Sequence, residues 1–447
     1  MKKGQINKEI FSLYRPLLFQ RLIIYLINTF AILMLGKMSG LYMASSNFAN
    51  QVFIIVSLTV AGIAEGSGVM LSQFWGKKDI ASAEKIISCT YFSAFIFGGV
   101  ISLITFFFPQ HLMAIFTNDS EMIRVGSEYL QIVGISYFFY AITTVTFSVL
   151  RSLKVIRISV FASVVACAVN VVLSVLFIFG PLVQLNLGVR GVALAALLSR
   201  VCEFAIIMIY IIFFEKNIEF RKINIFRIDK KYLQIYYKTL MPLLSNELLW
   251  GIGDAIIVMV YGRLGEDFAT AQSTYSVFSQ FSAIAMSMNV AASILVGNAI
   301  GRKASEEVDY LVSFFRKAAF FVGMSGMSIM LVGSVVAPLF YDFSDTVNTY
   351  IRQIFLFAAV IELFKSMQGM NMMGILRGGG DVKFILFNDM LFLWLWAIPV
   401  CYLSAMVFHL PVYLIFFFTR ADQIWKYFTS TYRIRSNKWV NYLTERF

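Results

Sequence analysis

Apolar runs of about 20 residues, the length that crosses a hydrocarbon core, recur along the whole chain, separated by short polar junctions that carry Gly, Lys and Arg. The pattern predicts twelve membrane-spanning helices, beginning near Pro16, Phe48, Ser88, Tyr129, Ile158, Gly188, Leu240, Tyr275, Phe315, Tyr350, Phe384 and Leu410. An even number places both chain ends on one side of the membrane. The first run lacks a cleavage-site pattern and eleven more follow it, so it reads as a retained span rather than a secretion signal.

Composition adds the solvent. Of 447 residues, 59% are hydrophobic and only 14% charged, a ratio that in water would expose a large apolar surface. The fold class is therefore an all-α polytopic membrane protein, with the lipid bilayer as its first partner. The net charge of +12 invites a nucleic-acid reading until its distribution is examined. Segments on one face, from Lys2 to Arg15, Lys77 to Lys85, Arg151 to Arg157, Lys216 to Lys238, Arg302 to Lys317, Arg377 to Lys383 and Arg420 to Arg446, hold 29 of the 37 Lys and Arg. The other face holds five, Lys37, Arg124, Arg190, Arg263 and Arg352. Such bias marks the cytoplasmic side, so both termini are expected inside a bacterial inner membrane, with no nucleic-acid partner. Cys89, Cys167, Cys202 and Cys401 lie in apolar spans without CxxC spacing, which suggests neither a disulfide framework nor a zinc site. His111 and His409 fall near outer span ends, away from any proton path through the bilayer middle.

The second half echoes the first. Pro16 and Pro242 are 226 residues apart, as are Gly36 and Gly262, and Arg151 and Arg377; Gly76 and Gly301 are 225 apart. Each copy holds six spans, and because six is even the copies enter the membrane from the same side, as parallel repeats. The expected organisation is an N-terminal lobe over 1–215, a basic cytoplasmic linker over 216–238, a C-terminal lobe over 239–430 and a basic cytoplasmic tail over 431–447. A cleft between two such lobes is where repeat-built transporters hold substrate.

At these junctions the chain resembles the multidrug and toxic compound extrusion (MATE) family, from about Pro16 to Trp439. The match is strongest over Gly374-Ile375-Leu376-Arg377-Gly378-Gly379-Gly380-Asp381-Val382-Lys383, with support from Ser72-Gln73-Phe74-Trp75-Gly76-Lys77-Lys78-Asp79, Asn170-Val171-Val172-Leu173, Leu187 to Ala195, and Asn246-Glu247-Leu248-Leu249-Trp250-Gly251. The resemblance implies a secondary-active antiporter that expels amphipathic or cationic compounds against Na⁺ or H⁺ and needs no other cofactor. It is expected to work as a monomer. It also implies an N-lobe cation site near Asn28 and Asn170, but the expected acids are replaced by Ala31 and Ser174.

Ionisable groups within spans cost at least a few kcal/mol each, so they are the candidate sites. The second copy holds Glu247, Asp254, Glu362, Lys365 and Asp389; the first holds Arg21, Glu65, Arg200 and Glu203. Glu247 and Asp254 are two helical turns apart and share a face. With Ser245 or Asn246 as oxygen partners, Glu247 is the expected principal coupling carboxylate and the place for any Na⁺, assisted by Asp254, Glu362 or Asp389. Arg200 with Glu203, and Glu362 with Lys365, have the i, i+3 spacing of internal ion pairs. Glu65 reads as a gate residue or a water-facing acid. Arg377, Gly378, Gly379, Gly380 and Asp381 form the junction motif.

Three other functions compete with export. A lipid-linked precursor flippase commonly has additional spans. A membrane-embedded enzyme needs a nucleophile, base or metal cluster, and no HExxH or GxSxG occurs. A passive channel predicts no gradient coupling.

Overall fold

The computed structural model describes residues 3–36, 40–178, 188–216, 218, 228–340 and 344–445. Lys37, residues 217 and 219–227 of the expected linker, and the side chains of Asn28 and Ala31 lie outside the described residues. Every regular element among them is helical. The first copy comprises α1 (Lys3–Gly36), α2 (Gly40–Lys77), α3 (Ile80–Phe107), the short α4 (Pro109–Ala114), α5 (Ser120–Ser152), α6 (Arg157–Ile178) and α7 (Val189–Phe213). The second comprises α8 (Lys230–Gly262), α9 (Glu266–Ala285), α10 (Met288–Gly301), α11 (Ser305–Phe340), α12 (Asp345–Gly369), α13 (Val382–Phe392), α14 (Ile398–Tyr402), α15 (Val412–Arg420) and α16 (Asp422–Arg435). Among the described residues nine helical stretches are long and apolar enough to cross a membrane. With α1, the broken pair α9–α10 and the pair α15–α16, there are twelve transmembrane helices.

Helices begin where the sequence supplies a cap. Asp79 accepts from the Ser82 N–H at 3.1 Å, Asp119 from Met122 at 2.9 Å and Ser344 from Val347 at 3.3 Å, each satisfying a first-turn amide with no intrahelical partner. Pro16 and Pro242 sit inside α1 and α8 at matching positions.

The repeat is written into the backbone as well. Lys78 and Lys303 take left-handed conformations at φ 62° and 56°, and Lys154 and Gly380 do so at 65° and 75°. After α5, the Val155 N–H donates to the Leu150 carbonyl at 2.8 Å and Lys154 to Arg151 at 2.9 Å. At the corresponding junction, Asp381 donates to Leu376 at 3.1 Å and Gly380 to Arg377 at 2.9 Å. One left-handed residue lets the chain turn back on the helix end and cap its last carbonyls.

The chain forms two compact units. The carboxy unit comprises Met241–Arg446 with Met1–Tyr14 and Ser72–Lys77; the amino unit comprises Arg15–Leu71 and Lys78–Leu240. The carboxy unit is centred on aromatic packing, with Tyr275 edge-on to Phe416 at 5.0 Å between ring centroids, alongside Tyr261, Phe268 and Phe355. It also carries three π-helical stretches, Met370–Leu376, Leu393–Ala397 and Leu403–Val407. In the amino unit the corresponding helices α5 and α6 are regular α-helix throughout.

Beyond α16, Asn437 turns the chain at φ 55°, and residues 437–445 form a strap within the carboxy unit. Trp439 and Leu443 are buried. The Asn441 N–H donates to the Gly379 carbonyl at 2.8 Å. The Gln73 amide donates to the carbonyls of Gly378 at 3.3 Å and Asn441 at 3.1 Å, while its oxygen accepts from the Leu443 N–H at 2.9 Å. A methyl group at Gly379 would overlap the Trp439 ring, which explains glycine there.

Candidate functional site

The most completely buried carboxylate is Glu362 on α12, with 0% exposure. Helix α9 presents Tyr275, Ser279 and Ser282 at helical spacing on one face. The Tyr275 and Ser279 hydroxyls donate to Glu362 Oε1 at 3.2 and 2.8 Å, Ser282 donates to Oε2 at 2.9 Å, and the Lys365 ammonium donates to Oε1 at 2.8 Å. Lys365 also donates to Ser279 Oγ at 2.8 Å. Four donors on a buried carboxylate offset the desolvation that would otherwise expel its charge.

Helix α8 aims three polar residues at three different partners. Asp254 Oδ1 accepts from both terminal nitrogens of Arg420, each at 3.3 Å. Glu247 Oε1 accepts from Arg377 at 3.3 Å. Asn246 donates to Asp389 Oδ2 on α13 at 3.2 Å. Asp389 Oδ1 is also 3.1 Å from the ammonium of Lys426, which lies 3.0 Å from Asp422 one turn earlier on α16. Asp381 takes a two-point contact from Arg433 at 2.7 and 3.2 Å; of the same junction, Gly379 and Gly380 lie under the strap, and Gly378 packs against Ser293 and Val296 of α10.

These contacts correct the charge assignment made from the sequence. Arg377, Arg420 and Lys426, assigned by loop position to cytoplasmic segments, are buried or half-buried side chains paired with Glu247, Asp254 and Asp389. Glu247 has no base three or four residues away in sequence, yet Arg377 reaches it from the junction after α12. Lys426 and Asp422 are functional candidates that the sequence reading missed. Their i, i+4 spacing was the available signal; it was masked by the surrounding polar residues of α16.

In the amino unit, Gln20 donates to Ser163 at 3.0 Å, Ser163 to Glu203 Oε1 at 3.0 Å, and Arg200 to Glu203 Oε2 at 2.8 Å. The Arg200 guanidinium lies over the Tyr140 ring at 5.0 Å. Asn170 on α6 donates to Ser199 on α7 at 3.3 Å; among the described residues no carboxylate joins this contact. Glu65 is half-buried on α2, within electrostatic reach of Arg151. Among the described residues no cluster of three or more His, Cys, Asp or Glu side chains is arranged to hold a metal ion, and all four cysteines are free. Chemically, the carboxy unit offers buried carboxylates, the group type that binds a proton or a hard cation. Among the described residues neither unit shows a nucleophile, base and orienting group in hydrogen-bonded sequence.

The sequence profile of the MatE family matches this chain twice, over residues 16–176 and 242–403, with starts 226 residues apart like the proline pair. Among curated relatives, the chain is 22% identical to the multidrug export protein MepA of Staphylococcus aureus over 91% of this chain and 94% of that protein. It is 24% identical to the probable multidrug resistance protein YoeA of Bacillus subtilis over 68% of this chain, and spans 64% of that relative's length. Among solved structures, an outward-facing multidrug resistance MATE family transporter superposes with a TM-score of 0.85 at 18% identity, covering 96% of each chain. A Vibrio cholerae MATE transporter, VcmN, superposes at 0.85 with 15% identity over 98% of this chain and 99% of that one. A superposition so complete at such low identity establishes the two-lobed, twelve-helix fold, and the paired profile match establishes descent: the chain belongs to the MatE family, the multidrug and toxic compound extrusion transporters, and is a multi-pass membrane transporter rather than an enzyme.

Proposed function

We propose that this chain is a monomeric antiporter of the bacterial inner membrane, with both termini cytoplasmic, that expels amphipathic or cationic compounds in exchange for Na⁺ or H⁺. Exchange proceeds by rocking of the two six-helix lobes, 1–215 and 239–430, and the carboxylates of the second lobe couple it to the ion gradient. Glu362 and Asp389 act with Asp254 and Glu247; Arg200 and Glu203 of the first lobe serve as a structural pair.

The observation that carries the reading is Glu362, a fully buried carboxylate held by three hydroxyls and one ammonium. A lipid-embedded acid so costly to bury has a use in a transporter, because filling or emptying it changes the charge of the interior. The positions where the family places acids in the first lobe hold Ala31 and Ser174, so coupling falls to the second. The relatives named for multidrug export support the substrate class.

The test is uphill movement of ethidium in proteoliposomes under imposed Na⁺ and proton gradients. Wild-type protein is expected to accumulate ethidium with one of the two gradients, and Glu362→Gln to lose that accumulation while inserting normally. Flux independent of both gradients would make the protein a passive conduit and end the proposal.

A further inference from the structure

The constant offset between the copies lets each charge within the spans be compared with its counterpart. Gln20 on α1 donates to Ser163 on α6 at 3.0 Å. The residues 226 positions on, Asn246 on α8 and Asp389 on α13, make the same contact at 3.2 Å, so the matching helices meet alike in both units. The next residue breaks the likeness. On α8 it is Glu247, which accepts from Arg377 at 3.3 Å. On α1 it is Arg21, and the counterpart of Arg377 is Arg151. Where the carboxy unit sets an acid against a base, the amino unit sets two bases.

The acid of the amino unit comes instead from α2. Ser148 and Ser152 of α5 donate to the Ala64 and Gly68 carbonyls of α2 at 2.6 and 3.4 Å. These two contacts fix the register of α5 on α2, with Arg151 and Glu65 between them. Arg151 is within electrostatic reach of both Glu65 and Arg21; Arg151 and Glu65 are half-buried and Arg21 is exposed. Glu203, a buried acid of the same unit, already accepts from Arg200 and Ser163. Arg15 and Arg157, nearby on α1 and at the start of α6, are further cations. One carboxylate beside two guanidiniums leaves a positive charge over. A guanidinium keeps its proton at any working pH, so this excess is not shed by titration, and in a low-dielectric interior the two cations repel. An anion relieves that repulsion, and paired guanidinium N–H donors match the oxygens of carboxylate and phosphate. Orientation in the membrane accounts for cations in inner loops, such as Lys154 and Arg157. It does not account for Arg21, which lies within the first apolar run at the position of a paired acid.

Resting on the export reading above, which it narrows, we infer that Arg21 and Arg151 bind the carboxylate, phosphate or sulfonate head of an amphipathic compound, with Glu65 offsetting one of the two charges. The compounds expelled then include amphipathic anions and zwitterions. The test is calorimetric titration of purified protein in phosphatidylcholine nanodiscs with octyl phosphate, and with octyltrimethylammonium as the charge-reversed control. Wild-type protein is expected to bind octyl phosphate saturably, more tightly than the control and less tightly as salt is raised. Arg21→Gln is expected to weaken that binding about tenfold, the loss of one charge-assisted hydrogen bond, and Arg21→Glu, which copies the carboxy junction, to abolish it. Glu65→Gln is expected to strengthen it, a change of opposite sign that a merely structural role would not produce and that reads the site even where the Arg21 variants do not insert. Octyl phosphate bound no better than the control, or bound equally by wild type and the variants, would overturn the inference. So would its displacement by phosphatidylglycerol in the nanodisc without uphill movement of octyl phosphate in proteoliposomes, which would give the site to a lipid headgroup. Ethidium and octyl phosphate both unmoved by either gradient, with octyl phosphate binding intact and insensitive to phosphatidylglycerol, would end the antiport reading alone and leave the anion site standing.

Discussion

The two units are copies of one plan that keep the same turns and differ in what they bury. After α5 and after the Met370–Leu376 stretch that follows α12, the chain makes the same left-handed step with the same pair of backbone bonds. Yet among the described residues the carboxy unit encloses six acid–base contacts and three π-helical stretches, where the interior of the amino unit shows hydroxyl and amide contacts around the Arg200–Glu203 pair, with Glu65 in electrostatic reach of Arg151. The difference teaches that duplication constrains helix ends more tightly than interiors. An end must cap its orphan carbonyls in any copy, while an interior is free to take on or shed charge wherever its neighbours can pair it. π-Helical stretches, which cost hydrogen-bond geometry and concentrate at functional sites, have accumulated on the same side as the charge.

The sharpest way to break this comparison is to remove the acid on each side. Glu362→Gln is expected to reduce gradient-driven ethidium transport by at least tenfold, whereas Glu203→Gln in the amino unit is expected to retain most of it. Equal loss in both proteoliposome assays would erase the functional asymmetry. Next in size is the removal of a buried base. Lys426→Met leaves Asp389 and Asp422 facing each other without their shared cation, and stranding a buried charge costs about 3–5 kcal/mol; a thermal-shift measurement is expected to show a fall of several degrees that Lys426→Met with Asp422→Asn partly restores. A smaller effect belongs to the strap. Trp439→Ala removes a buried ring from its place over Gly379 and is expected to cost about 3 kcal/mol, read as a lower unfolding temperature with ion selectivity unchanged. The smallest tests the shared turn itself. Lys154→Gly relieves a left-handed side chain at a cost of about 1 kcal/mol and is expected to stabilise slightly, while Gly380→Ala is expected to destabilise by a similar amount, since a methyl there would also stand 3.1 Å from Leu443.

The sequence disclosed the repeat, the helix count and the acids of the second copy, because apolar length, junction glycines and lipid-embedded charges are local signals. It did not disclose the partners. Arg377 follows the apolar stretch Met370–Leu376 and looks like an inner-loop charge until its burial beside Glu247 is seen. Arg420 and Lys426 look like the start of a basic tail, because a count of cations by segment registers where they fall along the chain and not which way their helix faces. Pairings such as Lys426 with Asp389 join residues brought together only by packing of α16 against α13. The long-range contacts that decide which acids are neutralised were therefore invisible, although every acid was on view.

The strap has a consequence for how the protein is assembled. Gln73 emerges early in synthesis, yet the amide that satisfies its side-chain oxygen belongs to Leu443, 370 residues later. Throughout translation and membrane insertion the Gln73 carboxamide must therefore find other partners, and the Trp439 seat stays vacant, until those residues have been synthesised. This clasp cannot close before residue 443 is made, so the amides of residues 437–445 are expected to gain protection from hydrogen exchange later than those of α2.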